Sequence, residues 1–216
     1  MFTVDTETTI AIDSPDHIFP HGTANDNHTS IGLLDELKTK FSGQFSLMDL
    51  GCSGGQFIID AIERGNLAIG LEGSDFSLKN NRANWIDKNI NNSLFLCDIS
   101  RDFRVKFNSE AFQFNCITAW EVLEHIHPDR LSVFLNNIKK HLSPNGIFIG
   151  TLCTITDTHK MKDGSDIELH QSVFPQEEWN RVFKHNGFDV HNYEFRHAVR
   201  EFNDSAHFKF QLTLSL

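Results

Sequence analysis

Three acids and a glycine turn in this chain of 216 residues have the types and spacing to hold a nucleoside-bearing ligand. Asp49-Leu50-Gly51-Cys52-Ser53-Gly54-Gly55 joins a short apolar run to a helical pattern. Glycine lets backbone approach a ligand closely, and the N-terminus of a following helix offers free N–H groups to an anion. The spacing is not the G-x-G-x-x-G of dinucleotide-binding turns, because Ser53 stands at the second glycine and Gln56 at the third. Glu72 ends the next apolar run, 21 residues after Gly51. A carboxylate there can accept from both ribose hydroxyls. Asp98 follows a third run, in Leu96-Cys97-Asp98-Ile99. It can accept from an adenine amino group while Ile99 packs on the ring, or serve as a turn or N-cap acid.

A second group carries proton chemistry. Trp120-Glu121-Val122-Leu123-Glu124-His125-Ile126 follows the fourth apolar run. On a helix Glu121, Glu124 and His125 fall at about 0°, 300° and 40°, and Val122, Leu123 and Ile126 on the opposite side. Three roles are open for the polar trio. His125 can act as a general base, because an ordinary pKa near ~6.5 suits proton removal from a hydroxyl. The trio can bind a divalent metal, or it can be a solvated helix start whose acids favour the N-terminal dipole. No metal site is assigned. His170, in Glu168-Leu169-His170-Gln171, is the second base candidate. Residues 153–170 are polar and without strong pattern, which suits the rim of a pocket for a polar substrate. His185, His191 and His207 are assigned to surface or sheet roles.

Elements must position these residues. Residues 1–30 are polar and poorly periodic and read as an N-terminal arm; 31–216 read as one domain. Leu33, Leu34, Leu37 and Phe41 predict a helix closed by Ser42-Gly43. Strands are predicted at 45–50, 67–71, 93–97, 112–120 and 147–152, with a helix at 55–64 and a polar, helix-compatible stretch at 76–88. Leu131, Phe134, Leu135, Ile138 and Leu142 form an amphipathic stripe. Lys139, Lys140 and His141 place positive charge in its last turn, and Ser143-Pro144-Asn145-Gly146 breaks it. Pro175 opens a further helix that Gly187 ends. Two closing strands, near 188–197 and 205–216, flank a short polar loop, and Ala206, Phe208, Phe210, Leu212, Leu214 and Leu216 alternate with period two. Strand–helix alternation over 45–152 implies a parallel sheet covered on both faces.

In this order, the motifs resemble those of the class I S-adenosylmethionine-dependent methyltransferases. The glycine turn is similar to their first motif, Glu72 to their ribose-binding acid and Asp98 to their adenine-side acid. Trp120–Ile126 resembles their E-V-L-E-H stretch, and Leu142–Gly146 the turn before their fifth strand, with Asn145 in place of a glycine. The resemblance spans roughly residues 30–197. It implies an α/β, Rossmann-like sheet of seven mostly parallel strands in the order 3-2-1-4-5-7-6, strand 7 antiparallel. It implies S-adenosyl-L-methionine as cofactor. Asp49, Gly51, Cys52 and Gly54 would serve the methionine side, and Ser53 and Phe57 would also bind the cofactor. Glu72 would hold the ribose with Gly73 and Ser74 shaping the adenosine pocket, and Asp98 and Ile99 would frame the adenine. Trp120 and Glu121 would close the methionine end, and Asp26, Asn27 and His28 would cover the cofactor. Catalysis falls to His125, His170 and Glu124. Quinone O-methyltransferases carry a similar E-x-x-E-H pattern on a metal.

Composition narrows the acceptor. With 19 Lys and Arg against 29 Asp and Glu, the formal net charge is −10. A polyanion is therefore not the expected partner, and the Asn/Asp-Pro-Pro-Tyr motif of nucleic-acid amino-methylating enzymes is absent. No apolar stretch approaches ~18 residues and the N-terminus has no signal-peptide pattern, so no membrane association is expected. The four cysteines lack C-x-x-C spacing and read as buried thiols of a cytoplasmic protein. The expected reaction is methyl transfer to a hydroxyl of a small polar acceptor, such as a sugar or related metabolite. The alternatives are N-methylation of a small molecule and a non-catalytic cofactor-binding module.

Overall fold

The computed structural model describes residues 1–86 and 92–215. The chain opens with β1 (Phe2–Thr6), the short helices α1 (Pro15–Ile18) and α2 (His21–Asn25), and α3 (Ile31–Lys40). Alternation follows through β2 (Ser46–Leu50), α4 (Gln56–Glu63), β3 (Leu67–Glu72), α5 (Phe76–Lys79) and β4 (Leu94–Leu96). A side hairpin of β5 (Phe103–Phe107) and β6 (Glu110–Ala111) precedes β7 (Phe114–Trp120), α6 (Leu131–His141) and β8 (Leu142–Cys153). A second hairpin, β9 (Thr158–Lys160) and β10 (Asp166–Glu168), leads to α7 (Gln176–His185), β11 (Phe188–His191) and β12 (His207–Leu214).

Seven strands form the main sheet in the order β4-β3-β2-β7-β8-β12-β11, with β12 antiparallel to both neighbours and the other pairs parallel. Counted along the sheet's own strands this is 3-2-1-4-5-7-6, as the resemblance implies. The strand order reverses between β2 and β7, and their carboxyl ends leave a crevice there. β2 is buried throughout, as a central strand covered on both faces must be. On one face α3 and α4 deliver Leu33, Leu34, Leu37, Phe57 and Ile58. On the other, α6 and α7 deliver Phe134, Leu135, Ile138, Trp179 and Phe183. Each such side chain is worth ~1.5–3 kcal/mol when fully buried, which fixes the helices against the sheet.

Several local expectations differ from the structure. Residues 76–86 form a short α5 and a separate 3₁₀ turn at Ala83–Ile86, because Asn81 and Ala83 have positive φ; the remainder of the predicted stretch to 88, and Leu216, lie outside the described residues. β8 starts directly at Leu142, and Ser143–Gly146 form an irregularity in its pairing with β7 rather than a free turn. The predicted strand at 188–197 stops at His191, so the connection to β12 is long. Residues 153–170 hold the β9–β10 hairpin, whose polar alternation on a solvated two-stranded ribbon gave no apolar period. The arm is also ordered: β1 pairs with β5, in a segment the apolar pattern had left unassigned. His141 is buried, and its Nε2 accepts from the Val105 N–H at 2.9 Å. Burial lowers its pKa, so it is a neutral acceptor and not a charge for the helix dipole.

Candidate active site

A cavity of about 760 Å³ lies at the carboxyl ends of β2, β3, β4 and β7, where the strand order reverses. Gly51, Ser53, Glu72, Gly73, Ser74, Asp98, Ile99, Trp120, Glu121, His125 and His170 all line it. Eleven of the predicted site residues thus meet in one space, from five separate stretches of chain. Asp49, Cys52, Gly54, Phe57 and Glu124 do not line it. Asp49 accepts from Thr118 Oγ1 at 2.6 Å across the β2–β7 ladder.

The glycine turn is shaped by contact. Gly51 has φ +68°, and a Cβ there would lie 2.7 Å from Val122 Cγ2. Ser53 also has positive φ, and this turns its N–H toward Glu72. Glu72 Oε2 accepts from Ser53 N at 2.8 Å and Oε1 from Ser74 N at 2.9 Å. One buried carboxylate thereby ties the ends of β2 and β3 together, and each oxygen keeps a lone pair for another donor. The free N–H expected at the start of α4 is already occupied, because Asn27 Oδ1 accepts from Gln56 N at 3.0 Å. Asp98 lines the wall, but its carboxylate also closes its own turn, accepting from Ser100 N and Oγ and meeting Arg101 Nε at 3.2 Å.

The arm forms the roof. Ala11 N donates to Gly73 O at 2.9 Å and Asp98 N to Thr8 O at 3.0 Å. Ser53 Oγ and Arg82 both donate to the Asp26 carbonyl, and the Asp26 carboxylate pairs with Arg200. Asp16, on α1, reaches His125 Nδ1 at 2.7 Å. Of the arm residues named for covering the cofactor, Asp26 lines the cavity, whereas Asn27 and His28 do not. Asp16, Arg200 and His207 also line it and were not assigned to the site from the sequence. Asp16 and Arg200 sit in segments without periodicity, of which only the Ser14-Pro15-Asp16 turn signal was marked, and His207 sits on the polar side of the period-two strand. His207 is therefore a cavity residue in addition to opening β12.

Residues 120–126 do not form the α-helix expected of them. Glu121 has φ +57°, and only Leu123–His125 make a 3₁₀ turn. The strained backbone at Glu121 splits the polar trio into two clusters. Glu124 and His125 gather with His170, and Glu121 with Cys153 and His207. Glu124 Oε1 accepts from Cys153 N at 3.0 Å, and the Glu124 carbonyl accepts from Gln171 N and Ser172 N. His170 Nδ1 lies 2.6 Å from the Ile155 carbonyl, and its ring meets His125 edge-on at 4.8 Å.

Burial dominates the proton balance. It pushes Asp49 and Glu72 up to about 7 and, with nearby Glu121, Glu124 to about 8. For His125 burial acts downward, but Asp16, Glu124 and Glu121 together raise it to about 9. Burial lowers His170, and neighbouring His125 lowers it further, so His170 is neutral beside a charged His125. Groups whose folded pKa is raised bind protons more tightly when folded, so stability is lost as pH rises through those values. Each raised group contributes up to about 1.4 kcal/mol per pH unit in its window. His141 and His170 act in the opposite sense, but only below their ordinary value of 6.5. The melting temperature is therefore expected to fall from pH 6.5 to 9. Scanning fluorimetry across that range checks it, and a flat profile would contradict the buried, protonated carboxyls.

A family model described as a methyltransferase domain matches residues 24–193. The chain is 26% identical over 170 residues to a tRNA (guanine-N(7)-)-methyltransferase of Mycoplasma genitalium, covering 72% of this chain and 74% of that one. Its fold is similar to an S-adenosylmethionine-dependent methyltransferase of Clostridium acetobutylicum, with TM-score 0.61 and 13% identity over 93% of this chain and 96% of that one. It is also similar to the 1,6-didemethyltoxoflavin-N1-methyltransferase of Burkholderia thailandensis, with TM-score 0.58 and 14% identity over 93% and 84%. With the family model spanning the glycine turn, the acids and the whole sheet up to β11, the chain belongs to the methyltransferase domain family.

Proposed function

We propose that the protein transfers the methyl group of S-adenosylmethionine to a hydroxyl of a small polar acceptor, a sugar or related metabolite. The observation that carries this is Glu72, a buried carboxylate fixed by two backbone N–H groups beside a cavity at the strand switch point. The cavity is of the size that holds a cofactor with a small acceptor. The residues fit the cofactor. Glu72 would hold the ribose, Gly73 and Ser74 would shape the adenosine pocket, and Asp98 and Ile99 would frame the adenine. Gly51 and Ser53 would give backbone contact to the methionine portion, which Trp120 and Glu121 would close. Asp49, Cys52, Gly54 and Phe57 would support this wall from behind. Trp120 Nε1 and Glu121 Oε1 are buried without a hydrogen-bond partner among the described residues, as ligand-directed groups would be. When bound, the cofactor supplies a methyl group already activated on a sulfonium.

The chain's own part is to orient the acceptor and take its proton. A carbonyl only accepts, so His170 Nδ1 carries the hydrogen toward Ile155 O and Nε2 keeps its lone pair. Neutral His170 is thus the base. His125 is held charged by Asp16 and repels a second proton from His170. Glu124 is a positioning residue that joins the end of β8 to the His170 loop. Residues 1–30 act with 31–216 as one unit, since the arm roofs the site.

The RNA named for the Mycoplasma relative suits this surface poorly. Net charge is −10, and Asp13, Asp16, Asp26, Asp129 and Asp157 rim the cavity against Arg130 and Arg200. That acidic rim favours one second reading, an amine nitrogen as acceptor, held by the acids before it loses its proton. Among the described residues no helix is long and apolar enough to cross a membrane. Four buried free cysteines support a reducing, cytoplasmic setting. The test is to follow S-adenosylhomocysteine release with a panel of hydroxylated and amino acceptors. Turnover with hydroxyl acceptors supports the reading, turnover confined to amines selects the second, and failure to bind S-adenosylhomocysteine overturns both.

A further inference from the structure

In the cavity, the ends of β7, β8 and β12 bring Glu121, Cys153 and His207 together. One ligand atom from each lies within 4.8 Å of the others. His207 Nδ1 lies 2.7 Å from Asp204 Oδ1, and a carboxylate in that setting accepts, so Nδ1 carries the hydrogen. In the neutral ring Nε2 then bears a lone pair, and it faces Glu121 Oε2 at 3.2 Å. Two lone-pair atoms at that separation need a cation between them. A proton would satisfy the pair alone. It would leave Glu121 Oε1 buried with no partner among the described residues, and Cys153 Sγ, whose only hydrogen-bond contact there is a long one of 3.8 Å to the Ile155 carbonyl, beside the pair. Phe202 stacks flat on His207, with ring centroids 3.8 Å apart, and holds its plane.

We infer that Glu121, Cys153 and His207 form a divalent metal site of the zinc type. Sulfur, imidazole and carboxylate are the donors zinc prefers, and three protein ligands with an open fourth position are the pattern of a catalytic zinc site. A carboxylate on the far nitrogen of the ligating histidine, here Asp204, is the usual orienting partner. All three ligands line the cavity, so the open position faces its interior. It would take an oxygen or nitrogen of the acceptor. This role in acceptor binding rests on the proposed methyl transfer, but metal binding itself does not. The neighbouring Glu124–His125–His170 group is the weaker candidate, because it offers no sulfur donor and Asp16 already lies 2.7 Å from His125 Nδ1.

The test is titration of the full-length, metal-stripped protein with Co(II), read by absorbance. One equivalent is expected to produce a thiolate-to-cobalt charge-transfer band in the near ultraviolet, with visible bands of tetrahedral intensity. Zn(II) should displace the cobalt and remove both. Cys153→Ser should abolish the ultraviolet band, and His207→Ala should weaken Co(II) binding at least tenfold. Circular dichroism and S-adenosylhomocysteine titration report separately whether each variant is folded and the cofactor site intact. A wild-type protein without the charge-transfer band overturns the inference, as does an unchanged band in folded Cys153→Ser. Cobalt binding without S-adenosylhomocysteine binding would leave the metal site standing and remove the methyl-transfer reading.

Discussion

Glu72→Ala is expected to weaken S-adenosylhomocysteine binding at least tenfold, a loss of about 1.4 kcal/mol or more, in isothermal titration. The carboxylate has two tasks. It accepts from Ser53 and Ser74, which sets the path of both loops, and its remaining lone pairs are the ribose acceptors of the proposed site. Alanine removes both and leaves two N–H groups unpaired near the cavity. Glu72→Gln is the informative companion. Its amide oxygen can accept from one N–H, but its NH₂ group cannot accept from the other. It should keep the fold and still bind more weakly than wild type. Burial pushes Glu72 up to about 7, so wild-type affinity should rise from pH 6 to 8 as the carboxylate ionises. Equal affinity in wild type and Glu72→Ala would remove Glu72 from the cofactor site.

His170→Ala is expected to lower kcat for a hydroxyl acceptor about a hundredfold or more, the usual contribution of a general base. S-adenosylhomocysteine affinity should change little, since the base acts on the acceptor. The pH dependence separates chemistry from packing. His170 titrates below its ordinary value, so wild-type kcat should fall only as pH drops through that lowered range. The acid limb should vanish in His170→Ala. His125→Ala, which removes the charge beside His170, should shift the limb upward without erasing it. A His170→Ala enzyme that keeps both its rate and its acid limb would show that the acceptor proton leaves by another route.

Local residue patterns carried the sheet, the stripe of α6 and the acids at strand ends. A parallel sheet buried on both faces requires apolar runs separated by helices, and a ligand at the switch point requires its acids at the carboxyl ends of those runs. Both requirements act over a few residues and are visible in one chain. The same patterns misjudged 120–126. Helical spacing grouped Glu121, Glu124 and His125, but the left-handed backbone at Glu121 sent its side chain toward His207, 86 positions later. No periodicity records a single strained residue.

The sequence by itself determined the succession of strands and helices, the position of the glycine turn, and the acid at the end of β3. These follow from hydrophobic burial and strand–helix alternation, which are local. Tertiary structure alone decided what surrounds those acids. Asp16 reached His125 because the arm folds over the crevice, and Asn27 occupied the start of α4 for the same reason. His207 and Cys153 met Glu121 because β12 runs antiparallel beside β8, pairing His207 with Cys153 directly. The charge of each histidine was settled there too, by burial and by neighbours distant in the chain. Contacts between residues far apart in sequence set those fields, and a linear pattern does not contain them.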